Sequence, residues 1–228
     1  MLKKIFTAFC CFFATIQGFA KESEPKSEEE LIGSLFSLNW VGEGTYQLSK
    51  SHGFLSLPKG HVAILMDDAQ KFLSTMLEIG KSSFPDNERP MPEEEVWKEI
   101  NASEAVILLS YNFSNTILFQ NFQEGYVSLD DWDQIDPEQI LNALKEKDNE
   151  TVAWFQKPIL DPATQTIYYI LENVNDDEDE EETQTLEFVL FKLGKKGVEK
   201  ITSSWNTREE CLEALQFIRQ AFTFEPGD

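Results

Sequence analysis

Carboxylates are the groups in this sequence best placed to do chemistry, because one short stretch holds four aspartates, Asp130, Asp131, Asp133 and Asp136. Hard cations such as calcium bind clustered carboxylates. Asp131 and Asp133 fit positions 1 and 3 of a calcium-binding loop. Ile135, however, occupies the next ligand position, and Asp136 stands where that loop needs glycine. The pattern therefore predicts neither a metal site nor a cofactor site here.

Asp136 has a structural interpretation as a helix cap. Pro137 follows it directly and suits the first helical position, while Gln139 completes a capping box. Acidic side chains ahead of a helix N-terminus interact favourably with the helix dipole, which accounts for the neighbouring aspartates. We expect a helix to begin at Pro137. The side chains expected to face inward are Ile140, Leu141 and Leu144.

A hydrolase is the alternative interpretation of these carboxylates. Asp131 or Asp133, paired with Glu124, could act as general acid and base without any His or Cys. Two carboxylates that converge in a deep apolar cleft, one with a raised pKa, would favour an enzyme. Acids dispersed over flat surfaces would favour a binding module. The sequence assigns no catalytic residue.

The histidines and the last cysteine have structural interpretations. His52 precedes Gly53 in a predicted turn, and neither His52 nor His61 belongs to a metal-ligand spacing. Cys211 shares its helical spacing with apolar residues, which predicts a buried and inert thiol. The sequence contains no Gly-x-Ser-x-Gly elbow and no phosphate-binding glycine loop.

The overall charge restricts the classes of partner. The chain has 41 Asp and Glu against 19 Lys and Arg, a formal net charge of −22. Such a charge opposes binding to nucleic acid or to anionic lipid surfaces. Seven consecutive acids at 176–182 are expected to form a solvated loop, with weak attraction of divalent ions as the alternative. An apolar share of 41% is typical of a globular protein and too high for a disordered one.

The first twenty residues have the pattern of a secretory signal peptide. Lys3 and Lys4 form a basic region, an apolar stretch runs from Ile5 to Ile16, and Ala20 ends a small-residue cleavage motif. We expect export to the periplasm or cell envelope, or secretion, with cleavage after Ala20. Because the removed segment holds two Lys and no acids, the mature charge would be 17 − 41 = −24. No apolar run is long enough for an ordinary membrane-spanning helix.

Three to four helices are predicted. Ser27 and Glu30 form a capping box for a first helix that ends near Ser37. A second helix begins at Asp67 and is expected to stop at Gly80. Residues 81–95, rich in proline and glutamate, are predicted to be a surface loop. Beyond the helix at Pro137, a last helix opens with a second capping box, formed by Thr207 and Glu210.

Short runs of strand-forming residues, separated by turns, are the other elements. Their connections are too short for parallel crossovers, so they predict local hairpins and an antiparallel meander. The fold class is therefore α+β, a mainly antiparallel sheet packed with three to four helices. The predicted strands are Tyr46–Leu48, Phe54–Leu57, His61–Leu65, Ala105–Tyr111, Val152–Phe155, Thr166–Leu171, Thr185–Leu193 and Val198–Thr202.

Five segments match the motifs of one bacterial family in the family's order: Leu38-Asn-Trp40, Leu57–Leu65 with Asp68-Ala69, Gly125–Asp136, Pro158–Tyr168 and Leu193–Val198. The chain thus resembles the family called domain of unknown function 2167. Phe188 and Lys195 depart from the family's usual Tyr and Arg. Family members commonly continue into C-terminal membrane helices, which this chain is expected to lack. The resemblance implies a protein of the bacterial cell envelope and no particular reaction.

The predicted organisation is a signal peptide at 1–20, a charged leader at 21–30 and one α+β domain at 31–228. The leading hypothesis for function is an exported, non-enzymatic domain that binds another protein of the envelope or helps to maintain the envelope. A carboxylate-dependent hydrolase and a secreted factor that acts outside the cell are the alternatives.

Overall fold

The computed structural model describes residues 27–83, 93–109, 115–122, 129, 132–148, 152–174, 184–195 and 197–225. The predicted signal peptide, the leader up to residue 26 and the acidic run 176–182 lie outside the described residues. Tyr111, the predicted end of one strand, lies outside them as well.

Five α-helices are present in these ranges: α1 (Glu28–Phe36), α2 (Asp67–Ser83), α3 (Glu93–Ala102), α4 (Pro137–Asp148) and α5 (Arg208–Ala221). A short 3-10 turn at Trp132–Gln134 precedes α4. Every helix in the described part of the chain is too short or too polar to cross a bilayer. Four of the five helices were predicted, and α3 was not.

Both predicted capping serine and threonine residues accept the backbone hydrogen bonds expected of them. The Ser27 hydroxyl accepts from the Glu30 N–H at 3.2 Å, and the Glu30 carboxylate accepts from the Ser27 N–H at 3.0 Å. The Thr207 hydroxyl accepts from the Glu210 N–H at 3.4 Å. These bonds satisfy amide groups that a helix leaves unpaired at its start, so the local sequence determines where α1 and α5 begin.

In the part of the chain that the structure describes, eleven strands form two antiparallel sheets. The strands are β1 (Trp40–Val41), β2 (Gly44–Leu48), β3 (Gly53–Leu57), β4 (Val62–Leu65), β5 (Ser103–Leu108), β6 (Thr116–Phe122), β7 (Val152–Asp161), β8 (Thr166–Val174), β9 (Gln184–Leu193), β10 (Val198–Trp205) and β11 (Phe222–Phe224). The large sheet has the order β1-β4-β5-β6-β10-β9-β8-β7, and the small sheet has the order β11-β3-β2. The predicted α+β class and the antiparallel meander, β7 to β10, are confirmed.

The two faces of the large sheet are buried by different elements. On one face, which we call the helical face, Ile64, Val106 and Leu118 pack with α1, α2 and α3. On the other, which we call the mixed face, Ile107, Phe119 and other side chains pack with α5 and the small sheet. Adjacent residues of β5 therefore enter different clusters, because side chains alternate across a strand.

The prediction that the second helix stops at Gly80 is wrong, since α2 continues to Ser83. Glycine inside a helix costs only about 1 kcal/mol relative to alanine. The apolar face of α2 is buried as far as Ile79, through side chains such as Phe72 and Met76. Packing of this face outweighs the weak stop signal of a single glycine.

The predicted surface loop at 81–95 is also wrong at both ends. Residues 81–83 belong to α2, and α3 begins at Glu93. Val96 and Ile100 are four positions apart and both buried, which is the helical spacing that the acidic residues around them concealed. Consecutive glutamates suit the first turn of a helix because they interact favourably with its dipole.

Three strands had no counterpart in the sequence analysis: β1, β6 and β11. β1 has two residues and pairs with β4, to which it is joined by a long connection. β11 has three residues and pairs with β3, which is distant in sequence. β6 lies between β5 and β10, so it is a central strand of the large sheet. Its position joins the N-terminal half of the sheet to the C-terminal meander.

Candidate functional site

The aspartate cluster does not form a metal site within the described residues. Asp133 is exposed on the 3-10 turn, and Asp136 caps α4 by accepting from the Glu138 N–H at 3.0 Å. Asp130, Asp131 and Glu124 lie outside the described residues. In the ranges that the structure describes, no three side chains of His, Cys, Asp or Glu come together as metal ligands.

The histidines and Cys211 occupy unrelated environments. His52 is exposed in the β2–β3 turn, at a positive φ of 53°. His61 is half-buried, and its ring packs on Phe217 with 4.8 Å between the ring centroids. Cys211 is fully buried on α5, and burial raises the pKa of its thiol to about 12. The prediction of a buried cysteine is confirmed, and so high a pKa disfavours the reactive thiolate.

A line of polar residues, which we call the polar row, crosses five strands of the large sheet. Successive members are direct cross-strand partners: Asp161 with Thr166, Thr166 with Lys192, Lys192 with Glu199, and Glu199 with Asn121. All except Asp161 are buried. Burial of a polar group costs free energy unless the group is hydrogen-bonded, so each buried member of the row needs a partner that compensates this cost.

Glu199 is the fourth member of the polar row and lies near a second buried acid, Glu104 on β5. Both glutamates have 0% exposure. The Asn121 amide donates to Glu199 Oε2 at 3.2 Å, and no described residue bonds Oε1. Burial above all, and then the charge of Glu104, raise the pKa of Glu199 well above its ordinary 4.5. Glu199 therefore resists ionisation where it lies.

Glu104 joins the two sheets. Its carboxylate accepts from the backbone N–H groups of Lys50 and Ser51, in the turn between β2 and β3. The pairing of β5 with β6 shifts register between Ser103 and Ala105. Such a bulge re-aims a side chain, and here it allows Glu104 to reach the small sheet. Its hydrogen bonds hold the β2–β3 turn against the large sheet.

The Glu104–Glu199 pair resembles a catalytic carboxylate pair in one respect, because one of the two pKa values is raised. It differs in access, since neither side chain contacts solvent. A substrate atom cannot reach a carboxylate that water does not reach, and general acid–base catalysis needs hydrogen-bond contact. We therefore interpret the pair as a structural junction between the two sheets.

Lys192 links the polar row to β11. Its ammonium donates to the Phe222 carbonyl oxygen. Burial first, and then the positive charge of Arg219, lower the pKa of Lys192. Arg219 in turn forms an ion pair with Asp161, the outermost member of the row, at 2.7 Å. The polar row thus ends at the surface in the ion pair of Arg219 and Asp161, while Lys192, two strands further along the row, is buried.

A cleft of about 550 Å³ opens beside this ion pair, between α5 and the β7–β8 hairpin. Its polar walls are Gln156, Thr164, Tyr168, Gln216, Arg219 and Gln220. Its apolar walls are Ile170, Leu212 and Leu215. No acidic side chain of the described residues lines it, although the chain has 41 acids. The volume lies in the range of small-ligand sites, about 300–1,000 Å³.

Arg219 is held in a fixed orientation at the wall of this cleft. The guanidinium carbon lies 5.0 Å from the centroid of the Tyr168 ring, and Nη2 donates to Asp161. The Thr164 hydroxyl, followed by Arg219 and the Ala163 N–H, lowers the pKa of Asp161, so the carboxylate stays charged. The Arg219 side chain is 34% exposed. It is therefore both preorganised and reachable from solvent.

Neither the polar row nor the cleft was predicted from the sequence. A signal for Glu199 exists, because alternation places it on the same face of β10 as Ile201. No comparable signal marks Glu104, since only the bulge aims it at the small sheet. Arg219 and Tyr168 are 51 positions apart, and their contact follows from how α5 packs on the sheet.

Comparison with other proteins shows the family of this chain and finds distant similarity to solved structures. The solution structure of cyanobacterial PsbP (CyanoP) from Synechocystis sp. PCC 6803 is similar at 10% sequence identity and a TM-score of 0.43, over 80% of this chain and 92% of that chain. No curated protein matches in sequence. The family model described as "Protein of unknown function (DUF2167)" matches residues 41–228, which is most of the chain. The chain therefore belongs to the DUF2167 family, as its motifs indicated.

Proposed function

We propose that this protein is an exported binding protein of the bacterial cell envelope, and that the cleft between α5 and the β7–β8 hairpin contacts its protein partner. The proposal depends most on the Arg219 wall of the cleft. Arginine and tyrosine are enriched among the residues that dominate binding energy at interfaces. In this cleft they are stacked on one another and partly exposed.

The apolar part of the cleft supports the same proposal. Leu212 is 40% exposed on α5, beside the buried Leu215. An exposed apolar side chain at the rim of a concave surface, with polar groups around it, is typical of a contact region. The signal-peptide pattern at 1–20 supports export, because a basic start and a short apolar stretch are followed by the small residues of a cleavage site.

Export has its own test. The protein isolated from its native host should begin at Lys21, and intact-mass analysis measures this directly. Periplasm, membrane and medium are then assayed separately, because a secreted factor would accumulate in the medium. A full-length cytosolic species as the main form would contradict export.

The binding face is tested by site-specific photo-cross-linking in living cells. A photoreactive amino acid replaces Leu212 at the rim of the cleft, or Glu213 as the matched control. Glu213 is adjacent on α5 and exposed, but it does not line the cleft. We expect a discrete protein adduct from position 212 and none from position 213. Equal adducts from both positions, or none from position 212, would contradict the proposal.

A further inference from the structure

We infer that the cleft binds a peptide segment through a carboxylate, with Arg219 as the residue that recognises it. This inference rests on the proposed function and adds the chemistry of the ligand. The first observation is the charge of the lining. The chain has more than twice as many acids as bases, yet Arg219 is the one charged residue among the described cleft walls.

The local charge around Arg219 is positive. Lys192 approaches closely enough for Arg219 to affect its titration, and Asp161 is the carboxylate that contacts Arg219. Two cations against one carboxylate leave an excess of one positive charge. Neighbouring like charges are unfavourable, so an incoming anion is stabilised by relieving that repulsion.

The guanidinium has donors to spare for a ligand. An arginine side chain carries five N–H groups, and the described contact with Asp161 uses Nη2. Tyr168 and Asp161 fix the plane of the guanidinium before any ligand arrives. Preorganised arginine binds carboxylates with two parallel hydrogen bonds and loses little entropy in doing so.

The remaining walls suit a peptide better than an inorganic anion. Gln156, Gln216 and Gln220 line the cleft, and each amide can both donate and accept. These groups complement the N–H and C=O of an extended backbone. Leu212 and Ile170 offer apolar contact for one side chain of the peptide. A carboxylate, a backbone and an apolar side chain together match all three kinds of wall.

Three acetylated tripeptides test the inference by NMR titration of the purified protein. The first has the sequence Leu-Ala-Ala with a free C-terminal carboxylate, the second is its C-terminal amide, and the third is Leu-Glu-Ala amide. We expect the first, the third or both to bind with a Kd below about 1 mM and the amide without Glu to bind at least tenfold more weakly. Comparison of the first and third distinguishes a chain terminus from an acidic side chain.

Variants then identify the residue. Arg219→Gln should weaken binding of the carboxylate peptide at least tenfold, whereas Lys157→Gln, an equal charge change at an exposed ion pair with Glu138, should not. Because Arg219→Gln also removes the Asp161 contact, a second pair leaves that contact intact. Leu212→Glu should weaken binding clearly more than Leu212→Gln does, because both variants remove the apolar contact and only Glu places a repelling charge at the rim of the cleft.

Each outcome of these experiments either supports or contradicts the inference. Binding of the amide as tight as that of the carboxylates, no binding by any probe, or equal binding by Leu212→Glu and Leu212→Gln would overturn the carboxylate inference. If the adduct at position 212 still forms in cells, the proposed function stands without the carboxylate inference. If that adduct is missing as well, both are wrong.

Discussion

The two faces of the large sheet are buried by different means. The cluster of the helical face consists of apolar side chains from α1, α2, α3 and three strands. The mixed face combines apolar side chains with the polar row, which includes the buried Lys192 and Glu199. Apolar packing stabilises without regard to direction or pH, whereas a buried charged group stabilises only with its own partners. The polar groups of the mixed face fix the positions of the β2–β3 turn and of β11, and they make the stability of this face sensitive to pH.

The largest effect is expected on the helical face. Phe72 on α2 is fully buried, and its ring meets Trp40 edge to face, with 6.1 Å between centroids. Phe72→Ala should destabilise the protein by about 3–5 kcal/mol through lost burial and the cavity left behind. Thermal unfolding on both sides of neutral pH should give the same loss. A loss of stability that changes with pH would contradict the proposed difference between the two faces.

The junction of the sheets should respond differently. Glu104→Ala leaves the N–H groups of Lys50 and Ser51 without their acceptor, and each buried unpaired donor costs about 1–3 kcal/mol. Glu104→Gln keeps one acceptor oxygen, so it should lose clearly less than Glu104→Ala. Urea unfolding of both variants measures the difference. Equal losses would mean that the carboxylate does not hold the β2–β3 turn.

Replacement of Glu199 by Gln should increase the stability of the protein rather than decrease it. The folded pKa of Glu199 is raised above the unfolded value, so its contribution to stability is complete below about 4.5 and is lost as the pH rises through the folded pKa. Glu199→Gln is neutral at every pH and retains an acceptor for Asn121. The variant should therefore be more stable than wild type at high pH, by about 1–3 kcal/mol, the scale of a buried unpaired polar group.

The control for Glu199 is the pH dependence of the difference. This acidic chain has many other carboxylates, but the contributions of those distant from Glu199 are the same in both proteins and cancel in the difference. The stability difference between variant and wild type should grow as the pH rises above 4.5 and then level off. A difference that is constant with pH would show that Glu199 is not protonated in the folded state.

The contrast between the faces also explains what the sequence could predict. Caps such as Ser27 with Glu30, and hairpins such as β7–β8, depend on residues close in the chain, and they were predicted. The polar row depends on register between distant strands, and the Asn121–Glu199 bond spans 78 positions. Alternation alone cannot show which strands become neighbours. Central strand β6, which the sequence analysis missed, is the one that brings these two residues together.

The smallest effect is expected at Asp136, which lies on neither face of the sheet. Its Oδ1 accepts from the Glu138 N–H at the start of α4. Asp136→Ala removes this acceptor and should cost about 0.5–2 kcal/mol, while Asp136→Asn keeps the oxygen and should be nearly neutral.

Calcium distinguishes the cap from a metal ligand at the same position. A bound ion stabilises the folded state by mass action, and losing an anionic ligand weakens that effect. Thermal unfolding of wild type, Asp136→Ala and Asp136→Asn is therefore measured with calcium and with a chelator. Capping predicts that Ala is worse than Asn by the same margin in both conditions. If calcium raises the melting temperature of wild type by several degrees and both variants lose that gain, the cap is the wrong explanation. The aspartates from 130 to 136 would then form a cation site. Cation binding would be a second function of this protein, beside ligand binding in the Arg219 cleft.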